Sequence, residues 1–243
     1  MWTMNKNILI TGSSQGIGLA IAKHFARDFN VYIVGRYKEK LENLCSEHGF
    51  SGYVAIDLFE ENAPQKLFEQ LNVDIDVLIN NAGVYFYSSI EKMSHEDILN
   101  SIKLNTIAPY ELIKYFIPYM KKQNWGRIIN IGSISGVMGE ANASIYSMTK
   151  ASLIGLTKSL ALEVAQDNIT VNIINPGWVD TELINNENLE ADFSKEEIIE
   201  TIPQRRFVTP EEIANTCEFL ISDKAKTITG QSINICAGLS LGF

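Results

Sequence analysis

Three cysteines and three histidines in 243 residues are too few, and too scattered, for the structural chemistry those residues usually carry. Cys45, Cys217 and Cys236 are odd in number, far apart and in no Cys-x-x-Cys pattern, which argues against a disulfide framework. They read as small apolar side chains in a reducing compartment. His24, His48 and His95 show no metal-ligand spacing, so no structural metal is expected. Basic residues are also short: 20 Lys and Arg face 29 Asp and Glu, a net charge of −9. A nucleic-acid backbone finds no basic stripe to bind. No apolar run approaches the ~18 residues of a membrane span. Met1-Trp-Thr-Met-Asn-Lys-Asn7 leads straight into an apolar strand and has no apolar signal region. The expectation is a cytoplasmic protein without nucleic-acid or membrane partners.

What the sequence has in quantity is alternation. At 46% hydrophobic and 20% charged residues it has the balance of a soluble globular chain. Short apolar runs at 8–11, 31–34, 53–56, 77–79, 127–131, 170–174 and 232–235 read as strands buried on both faces. Amphipathic stretches at 16–28, 38–47, 61–71, 96–121, 146–166 and 210–221 read as helices between them. This alternation predicts an α/β fold, a parallel sheet with helices on both faces. No Pro-, Gly- or Ser-rich linker breaks it, so residues 1–243 are expected to form one domain. Only 180–207 departs: it is acidic, lacks a strand and follows the sixth strand at the carboxyl edge of the sheet. It reads either as a solvated helical excursion or as a substrate lid.

Thr11-Gly-Ser-Ser-Gln-Gly-Ile-Gly18 follows the first strand and opens a helix. Gly12 permits the turn, and Gly16 and Gly18 let the backbone approach a pyrophosphate at the positive helix end. Gly12, Ser13, Ser14, Gln15, Gly16, Ile17 and Gly18 are therefore candidate dinucleotide-binding residues. The second strand ends in Gly35-Arg36-Tyr37-Lys38, with no acid before Glu39. A carboxylate there would repel a 2′-phosphate, whereas a guanidinium can fork onto one. Arg36 thus points to NADP(H), unless it is only a solvated strand end. Asp57 and Leu58 after the third strand, and Asn81, Ala82 and Gly83 after the fourth, are candidates for the adenosine side.

Tyr146 and Lys150 lie four residues apart, which on a helix puts phenol and ammonium on one face. A nearby cation favours the phenolate and lowers a tyrosine pKa from its usual ~10, making Tyr146 a usable acid or base. Ser133 stands thirteen residues before the tyrosine. Together with the glycine-rich turn, these residues point to hydride-transfer chemistry.

Thr-Gly-x-x-x-Gly-x-Gly at 11–18, Asn-Asn-Ala-Gly at 80–83, Asn105, Ser133, Tyr146-x-x-x-Lys150 and Pro176-Gly177-x-x-x-Thr181 occur in order over nearly the whole chain. With them the sequence resembles the short-chain dehydrogenase/reductase family. The resemblance implies a single Rossmann-like domain around a seven-stranded parallel sheet, assembled as a homotetramer or homodimer. It implies that Tyr146 is the general acid that protonates a carbonyl oxygen, or the base in reverse, and that Ser133 polarises that oxygen. Lys150 would hold the nicotinamide ribose and lower the Tyr146 pKa. Asn105 would anchor a water linking Lys150 to solvent. Pro176, Gly177, Val179 and Thr181 would flank the nicotinamide.

The substrate is expected to be a small-molecule carbonyl or alcohol compound. Bacterial 3-oxoacyl-[acyl-carrier-protein] reductases are similar through 126–181. Yet Asn124-Trp125 and Gln166-Asp167-Asn168 stand where such relatives tend to carry arginine for an acidic carrier. Tyr85, Phe86, Tyr87, Val137, Met138, Trp178 and Leu183 are candidates for an apolar substrate wall, or else ordinary core and subunit contacts. Three other readings stay open: a redox-inactive NADP(H)-binding regulator, an NAD-dependent alcohol dehydrogenase, and an epimerase or dehydratase that retains its nucleotide.

Overall fold

The computed structural model describes residues 6–181 and 194–241. Residues 182–193, including Leu183 of the expected substrate wall, lie outside the described residues, as do both chain ends. Seven strands form one parallel sheet: β1 (Asn7–Ile10), β2 (Asn30–Gly35), β3 (Gly52–Ala55), β4 (Val77–Asn80), β5 (Gly126–Ile131), β6 (Ile169–Pro176) and β7 (Ser232–Ile235). Their order is β3-β2-β1-β4-β5-β6-β7. β1 pairs with both β2 and β4, so the chain reverses its direction of travel there. That reversal opens a crevice at the carboxyl ends of the strands, where ligands bind in open α/β sheets.

The connecting helices are α1 (Gly16–Phe25), α2 (Lys38–His48), α3 (Ala63–Leu71), α4 (His95–Ile102), α5 (Ala108–Lys122), α6 (Ser135–Met138), α7 (Ser144–Val164), α8 (Lys195–Thr201) and α9 (Pro210–Ile221). Alternation along the strands builds two cores. Ile8, Ile10, Ile33 and Ile79 pack with Phe25 of α1, Leu41 of α2 and Leu220 of α9. Leu9, Val34, Leu78 and Ile128 face the other way, onto Leu67 of α3, Phe116 of α5 and Leu160 of α7. Apolar on both faces, these strands are what the continuous hydrophobic runs required.

Three expectations need correcting. The first helix stops at Phe25 rather than residue 28, because the Asp28 and Phe29 amides both bond the Phe25 carbonyl, at 3.1 and 3.0 Å, in a turn feeding β2. The helix expected over 96–121 is interrupted by a π-helical turn, Lys103–Ile107. Pro109 has no N–H and stands four residues after Asn105, so it cannot close the α-helical bond onto the Asn105 carbonyl. Finally, β7 is not buried on both faces: it is the last strand of the sheet, and Ser232 and Asn234 are exposed.

The 180–207 excursion begins and ends side by side. Val179 and Val208 form a parallel bridge, with the Asp180 amide on the Val208 carbonyl and the Val208 amide on the Trp178 carbonyl, each at 2.9 Å. Its described part enters α8 through a capping box in which Ser194 and Glu197 satisfy each other's backbone amides.

Candidate active site

The loops leaving β1 to β6 bring the expected residues to one edge of the sheet. The Thr11 hydroxyl, buried under the first loop, accepts the amides of Asn81 and Ala82, both at 3.0 Å. The Asn81 side chain donates back to the carbonyls of Thr11 and Gly12, at 2.9 and 3.0 Å. The turn after β1 and the loop after β4 are thereby one rigid unit.

Two glycines of this unit admit no side chain. A Cβ on Gly12, whose φ is +63°, would lie 2.8 Å from the Ala82 Cα. A Cβ on Gly18 would lie 2.5 Å from both the Asn81 side-chain nitrogen and the Gly12 carbonyl oxygen. Gly16, with φ +54°, has the Thr181 side chain at ordinary contact distance, 3.7 Å from where its Cβ would be. A bare backbone turn at a helix N-terminus fits a pyrophosphate. Ser13 does not share in this through its side chain: it is fully buried, its hydroxyl donating to the Ile10 carbonyl at 2.7 Å and accepting the Val34 amide at 2.9 Å. Ile17 packs against the core and Gln15 is exposed, its amide oxygen accepting from Lys40 at 3.4 Å.

Arg36 is exposed directly after Gly35 and forms no ion pair among the described residues. Ser14 sits over the same spot, since a Cβ on Gly35 would lie 3.3 Å from its hydroxyl oxygen. Asp57 uses one carboxylate oxygen to accept the Phe59 amide at 3.0 Å, and Leu58 buries its side chain in the core. Leu58 therefore has only its backbone to offer a ligand. Pro176 is buried at the end of β6, Gly177 lies against Cys236, and Val179 is buried beside Val208.

Ser133, at the end of β5, and Tyr146 and Lys150, in the first turns of α7, meet above the sheet. Ser133 lies close enough to Tyr146 to act on its ionisation. Lys150 is buried and donates to the Ile131 carbonyl at 2.8 Å. Asn105 closes the group from the π-helical turn: its side chain accepts the Val84 amide at 2.8 Å and donates to the Val84 carbonyl at 2.9 Å and the Thr149 hydroxyl at 3.1 Å. Gly83 stands between them, for a Cβ there would lie 3.2 Å from the Asn105 side-chain oxygen and 3.4 Å from the Lys150 nitrogen.

The electrostatics differ from the expectation that Lys150 lowers the Tyr146 pKa. Burial pushes Tyr146 up to about 12; the Ser133 hydrogen bond opposes this, and the Glu140 carboxylate adds to it. Burial pulls Lys150 down to about 8. In the protein alone, desolvation outweighs the pairing that the four-residue spacing offers.

Three features escaped the sequence reading. Ser135 donates to Glu140 at 2.6 Å and accepts from Ser133 at 3.0 Å. Glu140 also accepts from the Tyr85 hydroxyl at 2.8 Å, and the Tyr85 ring packs edge-on against Tyr146, centroids 4.9 Å apart. Their linear separation, from Tyr85 to Glu140, gave no local signal. The π-helical turn did have one, in Pro109 four residues after Asn105.

The chain is similar to known proteins over nearly its whole length. Residues 12–240 match a family described as enoyl-(acyl carrier protein) reductase. An uncharacterized oxidoreductase, YxjF, of Bacillus subtilis is 38% identical over 97% of this chain and 98% of its own. The 3-oxoacyl-[acyl-carrier-protein] reductase FabG of Buchnera aphidicola is 38% identical over 96% of this chain and 97% of its own. Among solved structures, an actinorhodin polyketide ketoreductase with NADPH superposes with a TM-score of 0.89 at 29% identity, covering 97% of each chain.

Proposed function

The chain belongs to the short-chain dehydrogenase/reductase family, oxidoreductases of C–OH and C=O groups, and from that premise we propose that it is an NADP(H)-dependent reductase of small-molecule ketones. The observation that carries the reading is the convergence of Ser133, Tyr146, Lys150 and Asn105 beside the bare-backbone turn at 12–18. Support for the phosphorylated dinucleotide comes from Arg36, exposed and without an ion-pair partner among the described residues, with Ser14 beside it.

The residues present fit the cofactor: Gly12, Ser14, Gly16 and Gly18 would hold the phosphates, Arg36 the 2′-phosphate, and Asn81, Ala82 and Gly83 the adenosine side. Lys150 would hold the nicotinamide ribose, and Pro176, Gly177, Val179 and Thr181 would border the ring. When bound, the reduced nicotinamide supplies a hydride. The chain's part is to manage the charge that develops on the carbonyl oxygen. Tyr146, kept protonated by burial, is suited to give that oxygen its proton, and Ser133 to hold it by a hydrogen bond. Asn105 fixes the backbone of Val84 and so sets the floor beneath Lys150.

We read the working form as a cytoplasmic homotetramer or homodimer. Support comes from Leu99, Ile107 and Tyr110 around α4 and α5, with Met148 on α7, all large, apolar and exposed. No described helix is long and apolar enough to cross a membrane.

The test is oxidation of NADPH against NADH with a free β-keto ester, a 3-oxoacyl thioester, a cyclic ketone and a keto-sugar, using wild type and Tyr146→Phe. Turnover with NADPH that Tyr146→Phe loses by roughly two to four orders of magnitude, with cofactor affinity kept, is the expected result. Unchanged turnover in the variant, or a preference for NADH, would refute the assignment of Tyr146 or of Arg36 respectively.

A further inference from the structure

A fixed negative charge stands beside the reacting centre. Gly139, with φ +82°, turns the chain back after α6 and brings Glu140 over the site. Both of its carboxylate oxygens are engaged, one by the Tyr85 hydroxyl and the other by Ser135. The two loops that carry this contact are clamped twice more. The Asn142 side chain donates to the Tyr87 hydroxyl at 3.0 Å, and the Ser88 amide donates to the Asn142 carbonyl at 2.7 Å. Glu140 is thus part of a built wall, not a solvated side chain passing by.

That wall connects to the chemistry by a chain of hydroxyls with a forced direction. A carboxylate can only accept, so the Ser135 proton goes to Glu140. Ser135 then accepts from Ser133, whose own oxygen takes the Ser135 amide at 3.1 Å; with one proton to give, Ser133 must turn it away from Ser135 to hold a substrate oxygen. The charge is therefore one hydroxyl, that of Ser135, away from Ser133, the group expected to hold the substrate oxygen. Its influence on the site is also visible in Tyr146, whose pKa it helps to raise. No cation offsets it: Glu140 forms no ion pair among the described residues, and residues 182–193 contain neither Lys nor Arg. Lys150, the cation nearest in the chemistry, is turned to the Ile131 carbonyl.

We propose that Glu140 is a specificity-determining residue that makes this site select uncharged ketones, such as keto esters and thioesters, over ketones bearing a carboxylate beside the reacting carbonyl. The inference rests on the ketone-reductase reading above. A second carboxylate brought into a partly desolvated site meets repulsion that water would largely cancel. The same wall imposes no such cost on the ester.

The experiment measures kcat/KM with NADPH for a 3-keto carboxylate and its ethyl ester, in wild type, Glu140→Gln and Glu140→Asp. Wild type is expected to favour the ester by on the order of tenfold at low salt. Glu140→Gln, which keeps hydrogen-bonding capacity but not charge, is expected to erase most of that preference by raising the rate on the acid. Glu140→Asp keeps the charge and should keep the preference. Should a variant fail to fold, wild type still decides: a ketone bearing an ammonium in place of the carboxylate should be turned over no worse than the ester. Equal losses on acid and ester in Glu140→Gln, or a wild-type penalty on the ammonium-bearing ketone as large as on the acid, would overturn the proposal and leave the reductase reading intact. No turnover of the ester by wild type would remove both.

Discussion

The Lys150 ammonium lies 5.6 Å from the centre of the Tyr146 ring and spends its hydrogen bond on the Ile131 carbonyl, not on the phenol. Two partners expected to activate each other are, in the protein alone, each pushed by burial toward its neutral form. A neutral phenol is the form that gives a proton away.

For Tyr146 this has a direct spectroscopic consequence. With its pKa raised to about 12, the phenol stays protonated throughout the range where an ordinary tyrosine, near 10, would ionise. Subtracting the phenolate absorbance of Tyr146→Phe from that of the cofactor-free wild type should give no ionisation step below pH 10. A step near neutral pH would mean that Lys150 governs the phenol after all.

For Lys150 the consequence lies in stability. Its folded pKa, about 8, is below its ordinary 10.5, so between those values the unfolded chain binds more protons than the folded one. Stability from this group therefore rises with pH across that window and is lowest below it. The melting temperature of cofactor-free wild type should accordingly gain on that of Lys150→Met as pH climbs from 8 to 10.5. A constant difference would contradict the shift.

Arg36 is tested by reversing its charge. Charge-assisted hydrogen bonds are each worth ~1.5–3 kcal/mol. Arg36→Glu should therefore lower kcat/KM for NADPH by on the order of tenfold to a hundredfold, leaving NADH almost unaffected. Since Arg36 is exposed, melting temperature should not move.

Asn105 is both a fold and a site residue. Asn105→Ala would orphan the Val84 amide and carbonyl, at ~1–3 kcal/mol for each buried group left unsatisfied. At roughly 2–4 °C per kcal/mol for a chain of this size, a fall of about 4–24 °C in Tm is expected. Asn105→Asp keeps the acceptor for the Val84 amide and should fall between the two.

Much of this was legible beforehand. The strands could be found because burial on both faces demands unbroken apolar runs such as Ile8-Leu-Ile10, and the glycine turn because no other residue fits beside Ala82. β7 was misread because it is short: Ser232-Ile-Asn-Ile235 alternates polar and apolar, the pattern of a strand with one face in water, which is what its edge position gives it. The π-helical turn hid inside a continuous helical pattern, since shifting one hydrogen-bond step leaves side-chain periodicity almost untouched. The sign of the Tyr146 shift could not be read from spacing, because spacing reports the partner and not the loss of water. Ser135 and Glu140 were invisible for a simpler reason: their roles exist only once the loop after β4 meets the loop after α6.

The bridge between Val179 and Val208 has a consequence for how such a chain can change. The 180–207 stretch leaves and re-enters the sheet at adjacent backbone positions, each fixed by its own hydrogen bonds. The entropic cost of closing a loop grows only slowly with its length, about 0.6 kcal/mol for each doubling. Residues beyond Thr181 can therefore be added, removed or exchanged before the second anchor while the hydride-transfer apparatus stays where it is. The fold keeps its reaction and its repertoire on separate stretches of sequence, so one can be inherited while the other is rewritten.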